Sequence, residues 1–388
     1  MIFGFIGSIL LVILSLGLLS GSYSFRWLRG FFPGIKKRFF IPAYALFAVL
    51  GMGFMLIPSA PGTRLLKAIC SYWFAFYIIF CMILIVAAVC HFIFWLIRKL
   101  RRRPAALSRR ATLAAGLAVI VLAGGVTVYG SVHAVVLREK YYEVETVQTA
   151  GNLESLRIVL VSDIHLGNVI GVNRVRRIAE KINRMDADIV CIAGDIFDGD
   201  LRAIGDVAAV QEAFRSIAAR YGVYAVPGNH DGQMGDFLRN SDITLLEDKA
   251  VTVAGAVTLA GRRDRGYGGG RQRTPLDDIL AGTDRSLPLI VLDHQPQPGH
   301  IDEARENGAV LMLTGHTHKG QIFPISLITV GTYPLDYGCV NLGGYPLTGS
   351  LRGNPFYLVV TSGAGTWGPP LRLGTDSEIV SVTLRFAS

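Results

Sequence analysis

The chain has 388 residues, 51% of them hydrophobic and 17% charged, with a formal net charge of +9 and a mean hydropathy of +0.43. Ordinary soluble proteins carry about 25% charged residues, so this composition excludes a disordered chain and argues against a wholly soluble one. The length allows two or three cores, and the positive charge invites a nucleic-acid reading that depends on where the charge lies.

Residues 1–137 contain 14 Lys or Arg and no Asp or Glu, whereas residues 138–388 contain 24 Lys or Arg and 29 Asp or Glu. The first part is therefore +14 and the second −5. A four-helix transmembrane region over 1–137 and a single domain over 138–388 are expected. Four apolar windows run over 2–21, 39–58, 70–97 and 111–137, each without Asp, Glu, Lys or Arg. Each reaches the ~20 residues that a helix needs to cross a hydrocarbon core. The basic residues of the first window follow it rather than precede it, which fits a retained span better than a cleaved leader.

The loops between windows carry five basic residues (Arg26, Arg29, Lys36, Lys37, Arg38), then two (Arg64, Lys67), then seven (Arg98, Lys99, Arg101, Arg102, Arg103, Arg109, Arg110). The first and third loops are thus expected on the cytoplasmic side, and the domain after residue 137 on the opposite side. Basic runs beside apolar spans meet an anionic leaflet, so no nucleic-acid partner is expected. Tyr23, Phe25, Trp27, Phe31 and Phe32 read as an interfacial aromatic belt. His91 and His133 lie near the ends of their windows, where an interfacial role is expected.

From Lys140 the pattern changes. Residues 141–149 alternate loosely. Short apolar runs follow at 156–161, 188–193, 222–226, 289–292 and 309–313, with helical spacing at 173–184 and 206–220. Strands alternating with helices predict crossover units around mostly parallel sheets. Segments 242–262 and 322–387 read as strand-rich, so a layered α/β domain with mixed sheets is expected.

Each apolar run ends in chemistry. The first leads into Asp163 and His165, the second into Asp195 and Asp198. The third leads into Gly228, Asn229, His230 and Asp231, the fourth into His294, the fifth into His316 and His318. Sites form at the carboxyl ends of strands in open α/β sheets, and five of the eight histidines fall here. In an extended segment residues i and i+2 share a face, so Asp163 with His165 and His316 with His318 are each expected to present two ligands together. Imidazole, carboxylate and amide oxygen suit hard or borderline divalent metals, and Cys191, the one thiol nearby, lies inside a strand. The donors are too many for one ion and fit two ions bridged by a carboxylate, an arrangement suited to in-line phosphoryl displacement.

Asp163-x-His165, Gly194-Asp195-x-x-Asp198, Gly228-Asn229-His230-Asp231, His294 and Gly315-His316-x-His318, in this order, resemble the calcineurin-like metallophosphoesterase superfamily. The longer forms Ser162-Asp163-Ile164-His165-Leu166-Gly167, Gly315-His316-Thr317-His318-Lys319-Gly320-Gln321 and Thr366-Trp367-Gly368-Pro369-Pro370 look like its membrane-associated or exported bacterial branch. The resemblance implies a four-layer αββα sandwich over about 140–388 and two divalent cations (Mn, Fe or Zn). Asp163, His165 and His318 would hold one cation, and Asn229, His294 and His316 the other. Asp195 and a nucleophilic hydroxide would bridge them. His230 would act as general acid or transition-state stabiliser, and Gly228 would permit a tight turn. Asp198 and Asp231 are candidates for orienting neighbouring groups, with capping of a following helix as the alternative for Asp231. Lys319 is either a substrate contact or a solvated side chain.

Residues 262–273, with five Arg and four Gly, read as a solvated loop, with a clamp for an anionic or lipid-linked substrate as the alternative. The five cysteines suggest no disulfide framework. The implied activity is hydrolysis of a phosphomonoester, phosphodiester or pyrophosphate. Four spans exceed what tethering needs and point to a phospholipid or lipid-linked sugar phosphate, though a soluble substrate suits the same residues. The alternatives are a non-catalytic membrane sensor or scaffold that keeps the fold, and transport of a phosphorylated lipid by the helices. The sequence carries no signal for oligomeric state.

Overall fold

A computed structural model describes residues 2–57, 61–102, 108–199, 201–267, 272–343 and 355–388, and the side chains among these except at 2–16, 54, 55, 61 and 202. Pro58 and Arg103 of the expected spans and loops lie outside the described residues.

The chain divides into two compact units, the first built mainly from residues 1–58 and 65–132 and the second from 133 onward. The first contains helices α1 (Ile2–Phe31), α2 (Lys37–Leu50), α3 (Gly53–Leu56), α4 (Arg64–Leu100) and most of α5 (Arg109–Val135). Among the described residues, two helices, α4 and α5, are long and apolar enough to cross a membrane. The four expected spans are thus met only in part. The second window is split between the 14-residue α2 and the four-residue α3. Fourteen residues at ~1.5 Å each extend about 21 Å, short of a hydrocarbon core of roughly 30 Å. At the break, bare Gly51 and Gly53 lie against Phe74 and Cys70 of α4, where a Cβ would sit 3.0 Å from Phe74 and 2.5 Å from Cys70. Phe47 of α2 is ringed by Trp73, Tyr77 and Phe80, and Trp73 Nε1 donates to its carbonyl at 2.8 Å.

In the second unit, one residue separates α5 from β1 (Leu137–Glu145). His133, in the last turn of α5, is not merely interfacial: its Nε2 lies 2.9 Å from Asp376 Oδ1. There follow β2 (Ser155–Val161), α6 (Val172–Asn183), β3 (Ile189–Ala193), α7 (Val207–Arg215), β4 (Val223–Val226), α8 (Gly235–Arg239) and β5 (Ile243–Leu245). The chain continues through β6 (Lys249–Val253), β7 (Val257–Gly261), α9 (Leu276–Ile279), β8 (Leu289–Leu292), α10 (Pro298–Glu306) and β9 (Ala309–Thr314). It ends with α11 (Ser326–Thr332), β10 (Gly338–Asn341), β11 (Tyr357–Val360) and β12 (Ser377–Arg385).

Two six-stranded sheets result, ordered β1-β12-β2-β3-β4-β5 and β10-β11-β9-β8-β7-β6. Their centres are parallel: β2 through β5 in one, β11 and β9 through β7 in the other. Strands covered on both faces are apolar throughout, which is why the sequence shows continuous runs such as 189–193 rather than alternation. Three cores separate four layers. One lies between the first sheet and α6–α7, including Val175, Ile178 and Phe214. The second, between the sheets, joins Ile158, Leu160 and Cys191 to Leu259, Ile290 and Leu313. The third packs α9 and α10 on the second sheet through Leu276, Ile301 and Met312. The strand-rich expectation for 322–387 is met by β10, β11 and β12, and the segment also holds α11, a helix with no buried residue.

Candidate metal centre

The carboxyl ends of β2, β3, β4, β8 and β9 bring the sequence-expected residues together. Backbone bonds lock the loops edge to edge: Asp163 N donates to Gly194 O, His165 N to Asp195 O and Gly315 N to His294 O, all at 3.0 Å. The route differs from the expected extended spacing. Asp163, His165, Asp195, His316 and His318 all adopt positive φ, between 50° and 72°. Non-glycine residues in that region carry backbone strain, and several together are a mark of functional sites. Sharp left-handed turns, rather than strand alternation, converge the ligands.

Two clusters form. Ligand atoms of Asp163, His165 and His318 lie within 4.8 Å of one another, as do those of Asp195, His294 and His316. In the first, His165 Nε2 faces His318 Nε2 at 3.1 Å, and Asp163 Oδ1 stands 3.6 Å from His318 Nε2. In the second, His294 Nε2 meets Asn229 Oδ1 at 3.0 Å, His316 Nδ1 at 3.1 Å and Asp195 Oδ2 at 3.2 Å. Asp195 Oδ2 also lies 3.8 Å from His165 Nε2, so one carboxylate oxygen addresses both clusters. Its Oδ1 accepts the His230 backbone N–H at 2.8 Å. The His230 ring then sits between His165 and Trp367, at centroid distances of 5.3 and 5.4 Å.

The donors fit divalent cations on three observations. Asp163 is fully buried, its Oδ2 accepts from His316 N at 2.9 Å, and its Oδ1 has no hydrogen-bond partner. A buried carboxylate oxygen left unpaired is costly and needs a cation. Imidazole nitrogens facing each other at 3.1 Å cannot both donate. Finally, His294 Nδ1 lies 2.8 Å from Ala193 O, a contact that makes Nδ1 the protonated nitrogen and turns the Nε2 lone pair into the cluster.

The electrostatics agree. Burial holds His165 below its ordinary value, keeps His318 well below it, and with the neighbouring His294 lowers His316 to about 3, so these imidazoles are neutral donors. Burial raises Asp163. At Asp195 burial opposes ionisation, but the charge and hydrogen bond of His294 outweigh it and hold the carboxyl low. Reciprocally, burial disfavours the His294 cation, and Asp195 overrides it to raise that imidazole well above its ordinary value.

The remaining candidates divide. Asp231 is no helix cap: its Oδ1 accepts from Phe197 N at 2.9 Å and its Oδ2 from Gly228 N at 2.8 Å, tying the loops after β3 and β4 together. Burial, with Asp195 nearby, raises it to about 7. Gly228 matters for close approach rather than a left-handed turn, because a Cβ there would overlap Asp195 Oδ1 and N. Asp198 is exposed and belongs to neither cluster, and its charge acts on His165. Lys319 is neither free in solvent nor in the clusters; its Nζ lies 4.1 Å above the Tyr337 ring. The arginine-rich segment is solvated only in part where described: Arg265, Gly266 and Gln272 are exposed, whereas three arginines are paired. Arg262 pairs with Glu303 at 3.0 Å, Arg263 with Glu247 at 2.6 Å and Arg273 with Asp293 at 2.6 Å. Asp293 Oδ1 in turn accepts from His294 N at 2.7 Å. Gly268, Gly269, Gly270 and Arg271 lie outside the described residues. Cys191 and Cys339 are free thiols.

Sequence reasoning missed two groups. Arg372 is fully buried and donates to the carbonyls of Ser362 at 2.6 Å, Gly365 at 2.7 Å and His318 at 3.4 Å, with burial lowering it to about 10. Nothing in Leu371-Arg372-Leu373 signals this, since its partners are distant main-chain oxygens. Tyr333, after α11, sets its ring 5.9 Å from His316.

Comparison with known proteins follows the same ground. Residues 156–320 match the family described as calcineurin-like phosphoesterase. The chain is 32% identical over 238 residues to an uncharacterized metallophosphoesterase of Helicobacter pylori, covering 60% of each chain. It is 29% identical over 300 residues to a transmembrane protein with metallophosphoesterase domain of Danio rerio, covering 72% of this chain and 64% of that one. The match thus spans about 60% of the length of these curated relatives. Among solved structures, Haemophilus influenzae NAD nucleotidase aligns with a TM-score of 0.38 and 16% identity, over 54% of this chain and 46% of that one.

Proposed function

We propose, from the premise that the chain carries a calcineurin-like metallophosphoesterase domain, that it is a membrane-integrated, two-metal phosphoesterase. The observation that carries this reading is the pair of ligand clusters meeting at Asp195 Oδ2, with the buried Asp163 Oδ1 left without a partner. Asp163, His165 and His318 would hold one divalent cation, Asn229, His294 and His316 the other, and Asp195 both. When bound, such cations supply Lewis-acid charge for phosphoryl oxygens and a nucleophile from water at neutral pH.

The chain's own residues do the rest. His294 keeps its donor nitrogen inward through Ala193 O, and Arg273 fixes Asp293, which holds the His294 backbone. Asp231 keeps the Asn229–His230 turn against the Asp195 turn. His230, half-buried beside the first cluster, would give a proton to the leaving oxygen of a phosphoester. Membrane integration is supported by α4 and α5 and by relatives named as transmembrane proteins. A phosphorylated substrate at the bilayer, such as a phospholipid or lipid-linked sugar phosphate, fits a catalytic domain joined by one residue to such a helix. The purified, metal-reconstituted protein is expected to release nitrophenol from an aryl phosphodiester and to lose that activity with Asn229→Ala. A metal-loaded protein without turnover on any phosphoester would leave the fold as a sensor or scaffold.

A further inference from the structure

From Gly320 to Leu335 the chain has no charged residue, although residues 138–388 carry 24 basic and 29 acidic ones. This run contains α11, none of whose side chains is buried. Phe323 is 56% exposed, Leu327 64%, Ile328 67% and Val330 64%. Single exposed apolar residues are ordinary, but consecutive turns of them on one short segment mark an interaction surface. The flanking charges are engaged in contacts of their own. Lys319 lies over the Tyr337 ring, and Asp336 Oδ2 accepts from Thr329 Oγ1 at 2.9 Å. Ser326 and Thr329 are the half-buried members of α11, and its apolar members face out.

The same segment ends at the metal centre on both sides. It begins just after His318, and it closes with Tyr333 packed on His316. Gln321 brackets the backbone of Trp367, donating to its carbonyl at 3.1 Å and accepting its N–H at 2.9 Å. Trp367 is 43% exposed and stands beside His230. Whatever covers α11 therefore lies beside the mouth of the site.

We infer that α11 and Phe323 dip into the surface of the lipid bilayer in which this chain's own helices sit, so that the metal centre opens toward the membrane. A surface without charge complements hydrocarbon, whereas a soluble protein partner would be expected to meet a polar rim. The chain also brings the bilayer with it. The apolar α5 ends at Val135 and β1 begins at Leu137, so contact with lipid is effectively intramolecular and needs little intrinsic affinity. This inference rests on the membrane integration proposed above, and not on the phosphoesterase chemistry.

The test uses the full chain in vesicles of phosphatidylcholine and phosphatidylglycerol that contain a phosphatidylcholine with a photoactivatable group in one acyl chain. After illumination and digestion, lipid adducts are expected on peptides of 64–100 and 109–135 and also on the peptide spanning 322–332. Helix α8, whose exposed face carries Asp236 and Arg239, should carry none. Leu327→Asp combined with Ile328→Asp should reduce the 322–332 adduct at least tenfold and leave those on α4 and α5 unchanged. Adducts on α4 and α5 with none on 322–332 would overturn the inference, as would a photo-crosslinker at position 328 that captures a second copy of the chain. If α4 and α5 also stay unlabelled, the membrane reading itself falls, and the inference with it.

Discussion

His230 and Asp195 lie within one hydrogen bond of each other and yet carry separable tasks. Asp195 offers Oδ2 to both ligand clusters, while its Oδ1 only receives the His230 backbone N–H. The His230 ring packs against His165 and Trp367 and belongs to neither cluster. His230→Ala keeps the backbone donor, so bound metal should remain near two ions per chain. Turnover on an aryl phosphodiester should fall by about 10²–10⁴, the usual contribution of a positioned proton donor. Asp195→Ala removes the shared oxygen and leaves His294 and His165 without their carboxylate. Elemental analysis of that variant should find most of the metal gone. Full metal occupancy in the Asp195 variant, or near-normal turnover in the His230 variant, would reverse the assigned roles.

At the scale of elements, the strands and the polar residue at each strand end were legible because buried parallel strands leave continuous apolar runs that stop abruptly. The way those residues converge was not. Positive φ at Asp163, His165, Asp195, His316 and His318 has only a weak signature in residue type: Asp and His tolerate that backbone better than most side chains, but they occur far more often outside it. Arg262, Arg263 and Arg273 read as solvated because their acidic partners are 16 to 41 residues away in sequence. The helix α11 was hidden by lacking an inward apolar stripe, the periodic signal by which helices are found. Arg372 shows the same limit with a measurable consequence. It fastens the loop after β11 to the turn that carries His318 by donating to main-chain oxygens. Lys cannot reproduce that fork. Arg372→Lys should orphan at least one buried carbonyl, at about 1–3 kcal/mol, which for a domain of this size is roughly 3–10 °C in Tm. Metal affinity should weaken with it, and an unchanged Tm together with unchanged metal binding would show that the guanidinium is not what holds this loop.

For the whole molecule, the net charge of +9 is the sum of two regions of opposite sign, and each sign answers to different surroundings. The acidic residues are confined to 138–388, where carboxylates surround the proposed metal centre and pair with buried arginines. The basic excess is confined to 1–137 and clusters in two of three loops, 22–38 and 98–110. If both clusters face the cytoplasm, then α5, which begins beside the second cluster at Arg109, carries the chain across and releases β1 on the other side. The single residue between α5 and β1 leaves no length for a re-entrant path. A phosphatase reporter that matures only outside the cytoplasm should therefore be active when fused after Ser388, and a reporter that functions only in the cytoplasm should be silent there. Arg101→Ser, Arg102→Ser, Arg109→Ser and Arg110→Ser together should weaken that bias, because orientation rests on how many basic residues each loop holds back rather than on any contact within the folded domain. Activity of the cytoplasmic reporter in the unaltered chain would place the metal centre on the inner face and refute the orientation, while leaving the chemistry proposed for the centre intact.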